Sequence, residues 1–136
     1  MGDKTVQGTR GRLLIVDDSS TVRRSIERHI LSERVTEIYQ AANGREAMEL
    51  FERYRPEFVT MDLTMPEMDG LTCISKMMAL KPDTRLMVIS ALGDAETAIE
   101  AVERGANEYV VKPFSAEDLN LALANLVAGP EGLEGR

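Results

Sequence analysis

The chain has 136 residues, of which 43% are hydrophobic and 29% charged, values ordinary for one globular domain with a full hydrophobic core. Its net charge of −7 argues against a nucleic-acid-binding surface, because such surfaces neutralise phosphates with clustered lysine and arginine. One cysteine, Cys73, excludes an internal disulfide, and no apolar run reaches the length of a membrane span. We therefore expect a monomeric cytoplasmic protein that binds neither nucleic acid nor a membrane.

Five predicted strands, each followed by a helical pattern, divide the chain; four are short apolar runs and the second is a weaker strand pattern. They lie at 13–16, 36–41, 58–61, 86–89 and 109–111. Runs as continuously apolar as the first and fourth are typical of parallel strands buried on both faces. Ser19 or Ser20 is suited to cap the helix after the first run, and Asn43 the helix after the second. The alternation predicts an α/β fold, a (βα)5 parallel sheet between helix layers with right-handed crossovers.

The last elements and the chain ends follow the same pattern. Ala98, Ile99 and Val102 mark the fourth helix, and Gly105 is suited to end it with a positive φ. Polar and glycine-containing stretches flank the five units. We predict a flexible arm over 1–11, one domain over 12–127 and a flexible tail over 128–136.

Four of the five predicted strands end at a polar residue or pair. These residues are Asp17, Asp18, Asp62, Ser90 and Lys112. A strand end is often polar simply because the chain is leaving the core. In a parallel sheet, however, all carboxyl ends lie at one edge, where such folds bind ligands, so we expect the five side chains to converge. Three carboxylates repel one another, and an all-oxygen set that binds a cation favours a hard ion such as Mg²⁺, or Mn²⁺ in its place.

This set of side chains suits phosphoryl transfer. A cation, a lysine and a hydroxyl group around one carboxylate would neutralise the oxygens of a phosphoryl group. Asp62 would then be the nucleophile and form an acyl phosphate. The sequence therefore predicts a phosphoacceptor at the end of the third strand.

The motifs at the strand ends are similar to those of a known family. They are Val16-Asp17-Asp18-Ser19, Met61-Asp62-Leu63-Thr64-Met65-Pro66-Glu67-Met68-Asp69-Gly70, Ser90-Ala91 and Lys112-Pro113-Phe114. Together they resemble the receiver domain of bacterial response regulators, most closely the stand-alone, CheY-like chemotaxis type. The likeness runs over about 12–127 and implies a doubly wound, flavodoxin-like sheet with strand order 2-1-3-4-5.

The resemblance implies how the acidic residues act. Asp62 would accept a phosphoryl group from a phosphohistidine on a sensor histidine kinase or a histidine phosphotransfer domain. Asp18, Asp62 and the backbone carbonyl of Thr64 would bind Mg²⁺ directly, while Asp17 would act through a water molecule. The protein would be a switch that assists its own phosphorylation and autodephosphorylation, and not an enzyme.

The resemblance also assigns the residues that respond to the phosphoryl group. Lys112, Ser90 and the backbone of Ala91 would contact it, and the bond from Lys112 to Pro113 would be cis. Tyr109 would turn inward behind Ser90. The face formed by the fourth helix, the fifth strand and the fifth helix would then change its preferred protein partner, as a population shift.

Two residues vary within the family and flank the path of the hydrolytic water. They are Thr64, two residues after Asp62, and Leu92, two residues after Ser90. Because leucine cannot hydrogen-bond a water molecule, we expect slower loss of phosphate than in relatives with a polar residue there.

Other functions remain open at this point. The same site would serve a receiver cut from a larger DNA-binding or enzymatic regulator, a phosphorelay intermediate or a phosphate sink. A haloacid-dehalogenase-type phosphatase also uses a strand-end aspartate, but it needs a second aspartate where this chain has Thr64. The ligand spacing of an EF-hand calcium loop is absent from residues 62–70.

Overall fold

A computed structural model describes the backbone of residues 10–134 and the side chains of residues 10–129. Its strands are β1 Gly11–Val16, β2 Val35–Ala41, β3 Phe58–Met61, β4 Arg85–Ser90 and β5 Glu108–Val111. Its helices are α1 Ser20–His29, α2 Gly44–Tyr54, α3 Gly70–Leu80, α4 Ala95–Arg104 and α5 Ala116–Glu134. All strand pairs are parallel, in the order β2-β1-β3-β4-β5. The predicted fold class and strand order are confirmed.

The sheet separates two hydrophobic layers, because successive side chains of a strand point to opposite faces. One layer packs Leu14, Val59 and Leu86 of the sheet against Phe51 of α2 and Met77 of α3. The other layer packs alternate strand residues against α1 and α5; its members include Leu13, Ile15, Phe58, Met87, Ile26, Leu119, Leu123 and Leu126. Each fully buried large apolar side chain contributes about 1.5–3 kcal/mol, so both layers are needed for a stable sheet.

Side-chain caps start the helices that follow the carboxyl edge of the sheet. Ser19, Asn43, Asp69 and Asp94 each accept a hydrogen bond from a backbone N–H three residues further on. Such a cap stabilises a helix by about 1 kcal/mol. The caps predicted at Ser19 and Asn43 are confirmed, and each of them begins a helix shortly after a strand ends.

Helix α4, like α1, has a single buried residue. Ala101 is its one buried residue, while Ile99 and Val102, which indicated the helix in the sequence, are 57% and 56% exposed. The spacing predicted the helix correctly, but its larger apolar side chains face outward. No helix in the described part of the chain is long and apolar enough to cross a membrane.

Secondary structure extends beyond residues 12–127 at both ends. Gly11 pairs with Val35 in the sheet, so β1 begins inside the predicted arm, whose residues 1–9 lie outside the described residues. Helix α5 continues to Glu134, through the predicted tail, with a non-helical Gly129 at φ 71°. A guanidinium nitrogen of Arg85 donates to the carbonyl of Val127 at 2.9 Å. This carbonyl therefore has a hydrogen-bond partner next to the bend at Gly129.

Candidate functional site

The structure brings the three predicted acids together at the carboxyl edge of the sheet. Asp17 and Asp18 follow β1, and Asp62 follows β3, the strand beside it. The backbone N–H of Asp62 donates to the carbonyl of Val16 at 3.0 Å, which extends the pairing of the two strands by one residue. One carboxylate oxygen from each acid lies within 4.8 Å of the others. Asp17 and Asp62 are buried, at 1% and 5% exposure, whereas Asp18 is exposed.

Asp17 is held by contacts on both carboxylate oxygens. Its Oδ1 accepts a hydrogen bond from the backbone N–H of Ser19 at 2.9 Å, and its Oδ2 accepts one from Lys112 Nζ at 2.8 Å. Its backbone carbonyl accepts from the guanidinium of Arg23, on α1, at 2.7 Å. Asp17 is therefore a fixed carboxylate whose charge is compensated by a lysine from the opposite end of the chain.

Asp62 is less well compensated. Its Oδ2 lies 3.7 Å from Lys112 Nζ, and its Oδ1 accepts a long hydrogen bond, 3.4 Å, from the backbone N–H of Thr64. Burial, together with the charge of Asp17, raises the pKa of Asp62, and Lys112 opposes that rise. Further positive charge would therefore stabilise the ionised carboxylate of Asp62.

The donor set fits Mg²⁺. Three carboxylates meet at this point, and Lys112 is the only base in the described part of the chain that forms an ion pair with any of them. Hard divalent cations prefer such oxygen ligands, and the exposed position of Asp18 leaves the cluster open to solvent. The acidic pocket that the sequence predicted is therefore present, with the charge that a divalent cation would balance.

Ser90 and Tyr109 each form a hydrogen bond with the backbone of Leu92, and neither forms one with Asp62 among the described residues. Ser90 is fully buried at the end of β4, and its Oγ accepts a hydrogen bond from the N–H of Leu92 at 3.1 Å. The hydroxyl of Tyr109 donates to the carbonyl of Leu92 at 2.5 Å. Burial, followed by the charge of Asp94, raises the pKa of Tyr109, and a hydrogen bond with Ser90 opposes the rise. None of the hydrogen bonds found among residues 10–129 joins Ser90 to Asp62.

Lys112 reaches the cluster from just beyond β5. Its backbone N–H donates to the carbonyl of Ser90 at 2.8 Å, and its peptide bond to Pro113 is cis. Thr64, Ala91 and Leu92, the remaining residues of the predicted site, are exposed in the loops around the cluster. The predicted site residues that follow the strand ends therefore lie at one edge of the sheet, whereas Tyr109 lies within β5.

The family model of the response regulator receiver domain matches residues 13–124. The chain belongs to the response regulator receiver family.

The relatives of this receiver domain include proteins named for chemotaxis. It is 41% identical to the chemotaxis protein CheY of Thermotoga maritima over 76% of this chain and 86% of that protein. It is 37% identical to CheY of Listeria monocytogenes over 82% of this chain and 94% of that protein. The solved CheX–CheY–BeF3–Mg²⁺ complex of Borrelia burgdorferi is 35% identical, with a TM-score of 0.74, and covers 78% of this chain and 81% of the other.

Membership of the family gives the site a general role. Receiver domains are phosphoacceptor switches of two-component signalling, and they interact with histidine kinases and with downstream targets. The chain is therefore a response regulator or part of one, and its acidic pocket is the one that receiver domains use for Mg²⁺.

The receiver domain also contains contacts around the site that the sequence did not indicate. In the loop between β3 and α3, Glu67 and Met68 have positive φ values of 52° and 90°. Arg45 of α2 donates to Glu67 at 3.0 Å, and a Cβ added to Gly44 would lie 2.2 Å from the Met68 carbonyl. The start of α2 therefore supports the loop that follows Asp62. Gly44 was the one signal of this close approach in the sequence.

Thr60 is a second feature without a sequence signal. It lies on β3 two residues before Asp62, is 1% exposed, and its hydroxyl is the one buried side-chain atom without a hydrogen-bond partner among the described residues. A buried hydroxyl of this kind costs about 1–3 kcal/mol. Nothing in the local pattern distinguishes it from the apolar residues on either side.

Proposed function

We propose that the protein is a single-domain response regulator of a chemotaxis-type phosphorelay, in which Asp62 accepts a phosphoryl group from a phosphohistidine. The observation that carries this proposal is the buried Asp62 carboxylate, in a cluster with Asp17 and Asp18 and 3.7 Å from Lys112. The chemotaxis proteins among the relatives support the pathway. We propose that the receiver domain comprises 12–127 together with Gly11, which pairs with Val35 in the sheet, and that it acts in the cytoplasm.

The transfer step uses Asp62 as the nucleophile. A carboxylate oxygen of Asp62 attacks phosphorus, an O–P bond forms and the N–P bond to the histidine breaks. The imidazole keeps the electron pair of that bond and takes up a proton. Lys112 favours the ionised form of Asp62 that this attack requires, against the effect of burial.

Asp18, Asp62 and the Thr64 carbonyl would hold Mg²⁺ directly, and Asp17 would do so through water. The ion would supply positive charge to the phosphoryl oxygens and relieve the repulsion among the carboxylates. Mn²⁺ would substitute, because it accepts the same oxygen ligands. The Mg²⁺ and BeF3 in the name of the Borrelia complex support a cation of this kind beside the phosphoacceptor.

The response to phosphorylation would pass through Lys112, Ser90 and Tyr109. Lys112 would shift from Asp17 toward the phosphoryl oxygens. The Ser90 hydroxyl and the Ala91 backbone N–H would bind the same group, so that Ser90 gives up its contact with Leu92. Because Tyr109 donates to the Leu92 carbonyl, movement of this loop would alter the α4–β5–α5 face for a downstream protein.

Phosphorylation by a small donor tests the proposal. We propose that the protein acts as a monomer. It would be incubated with acetyl phosphate and Mg²⁺, and the modified peptide would be mapped by mass spectrometry. We expect label on Asp62 alone, and none in Asp62→Asn. Label on another residue, or no label, would refute the proposal.

A second experiment separates this role from the other roles of a receiver. The phosphorylated protein would be mixed with a purified histidine phosphotransfer domain and the return of phosphate to histidine measured. A chemotaxis effector would keep its phosphate until hydrolysis. Rapid return to histidine would instead identify a relay intermediate or a phosphate sink.

A further inference from the structure

The surface formed by α4, β5 and α5 exposes large apolar side chains. It is called the α4–β5–α5 face here and comprises residues 92–104, 108–111 and 116–125. Its exposed apolar residues are Leu92, Ile99, Val102, Val111 and Leu121, with exposed fractions between 40% and 67%. A Cβ on Gly93 would lie 3.5 Å from Val111, so the loop before α4 and the edge of the sheet form one continuous surface. Apolar side chains gathered in this way are typical of a protein-binding surface.

A groove runs between β5 and α5 on this face. It has a volume of about 340 Å³ and is open to solvent. Its walls include Tyr109, Val111 and Leu121, and also the acidic residues Glu108 and Asp118. The groove thus combines apolar walls with two carboxylates.

The charge of this face is strongly one-sided. Residues 92–129 contain seven acidic residues and only two basic residues, Arg104 and Lys112. Arg104 neutralises one of these acids, and Lys112 is engaged outside the face. Arg104 pairs with Glu100 and donates to the Leu71 carbonyl of α3, and Lys112 pairs with Asp17. The outward electrostatic potential of the face is therefore negative.

Glu108 is a partly buried acid in the wall of the groove. Burial in the groove raises the pKa of Glu108, and a hydrogen bond with Asn125 opposes the rise. None of the ion pairs in the described part of the chain involves Glu108 or Asp118. A cation placed beside Glu108 would find a partly desolvated carboxylate, where an ion pair is stronger than at an open surface.

We propose that the downstream partner binds this face through a segment that combines lysine or arginine with large apolar side chains. This inference rests on the proposed function, which makes the face the output of the switch. Anionic partners, including acidic peptides, would meet like charge there. A second copy bound by the same face would bring its seven acids against their own counterparts, because a two-fold interface joins identical surfaces.

The test uses defined peptides and the full chain. The probe is a synthetic amphipathic peptide of leucine and lysine, and the matched control is the same peptide with glutamate for lysine. Each would be titrated into the protein treated with acetyl phosphate and Mg²⁺, and its site located from backbone amide NMR shifts. The variant Glu108→Gln with Asp118→Asn would be compared with Glu33→Gln with Glu52→Gln, which removes the same charge from exposed acids elsewhere.

We expect the lysine peptide to shift amides of β5, α4 and α5, with at least fivefold weaker binding to the groove variant and less than twofold change in the control variant. Unfolding temperatures of both variants would show that they are folded. Equal weakening in the two variants, shifts mapped to another face, preferred binding of the glutamate peptide, or self-association through this face would each overturn the inference. Normal labelling of Asp62 in the same samples would show that the proposed function survives such a failure.

Discussion

Asp62, the proposed phosphoacceptor, carries a cost to folding. Burial and Asp17 raise the pKa of Asp62 in the folded protein above its unfolded value. Ionisation of this residue therefore opposes folding, and the folded state loses stability as the pH rises from the unfolded pKa through the folded pKa. Above that window the full cost is present. The residue that the sequence predicted as the phosphoacceptor is thus expected to be a site of strain in the free protein.

Replacing Asp62 by asparagine should remove that cost. In the absence of divalent ions, we expect Asp62→Asn to be more stable than the wild type near neutral pH by on the order of 1 kcal/mol, or roughly 3–5 °C in unfolding temperature. The difference should vanish at a pH below the ordinary range of aspartate. Lys112 keeps its contact with Asp17 in the variant. Urea unfolding across the pH range would check this, and a less stable variant at neutral pH would contradict it.

Leu92 should set the lifetime of the phosphorylated state. Its side chain is 40% exposed in the loop after Ser90 and cannot orient a water molecule. We expect Leu92→Glu to lose phosphate several-fold faster than the wild type, as measured by release of inorganic phosphate from the labelled protein. Leu121→Glu, an exposed leucine on α5, serves as the control. No acceleration in Leu92→Glu would contradict the role assigned to this position.

Cys73 has a structural role in the hydrophobic core. It is fully buried in the layer between the sheet, α2 and α3, and burial raises the pKa of its thiol to about 11. Since the thiolate is the reactive form, this cysteine is inert near neutral pH. The sequence placed it in a helix, as the structure does in α3, and its lack of reactivity follows from packing.

The first residue of α3, Gly70, packs closely against the backbone that follows β3 at Asp62. A Cβ added to Gly70 would lie 2.4 Å from the carbonyl of Asp62 and 2.7 Å from the Cα of Leu63, both backbone atoms that cannot yield easily. At Gly93 the nearest atom would be 3.5 Å away, an ordinary contact. Gly70 is therefore required by the close approach of two backbone segments.

We expect Gly70→Ala to destabilise the protein by about 1–3 kcal/mol, because a contact that tight forces a backbone shift. The same shift should weaken phosphorylation by acetyl phosphate, since it displaces the backbone of Asp62. Gly93→Ala should change stability by less than about 0.5 kcal/mol. Denaturant unfolding and labelling of the two variants would check the pair, and equal stability of the two would show that α3 can move away freely.

Helix α4 shows the limit of a periodic pattern. Ile99 and Val102 mark the helix correctly, yet both are exposed, and Arg104 ties the helix to α3 through the carbonyl of Leu71. A 3.6-residue period indicates that one side of a helix is apolar. It does not say whether that side faces this chain or another protein.

For the whole molecule, folding and cation binding should be coupled. The three carboxylates come together only in the folded state, so a cation that binds them stabilises that state and not the unfolded chain. We expect Mg²⁺ to raise the unfolding temperature, with about 2.7 kcal/mol of stabilisation at a concentration 100 times the dissociation constant. EDTA should reverse the effect.

The matched controls make this linkage specific. Asp18→Asn and Asp62→Asn should lose most of the Mg²⁺-dependent stabilisation, whereas Glu52→Gln, an exposed acid on α2, should keep it. Thermal unfolding of each protein over a series of MgCl2 concentrations would check this. The same gain in stability in all four proteins would place the cation elsewhere.

The sequence by itself determined the order of the elements, the parallel α/β class and the residues at the strand ends. It did so because apolar runs and helical spacing are local, and because parallel strands must end at one edge. Only the tertiary structure decided which contacts those residues make. The 2.8 Å bond from Lys112 to Asp17, the support of the Glu67 loop by Arg45, and the acidic groove at Glu108 join residues that are far apart in the chain or on different elements. Such contacts depend on how helices pack on the sheet, and that packing leaves no local period in the sequence.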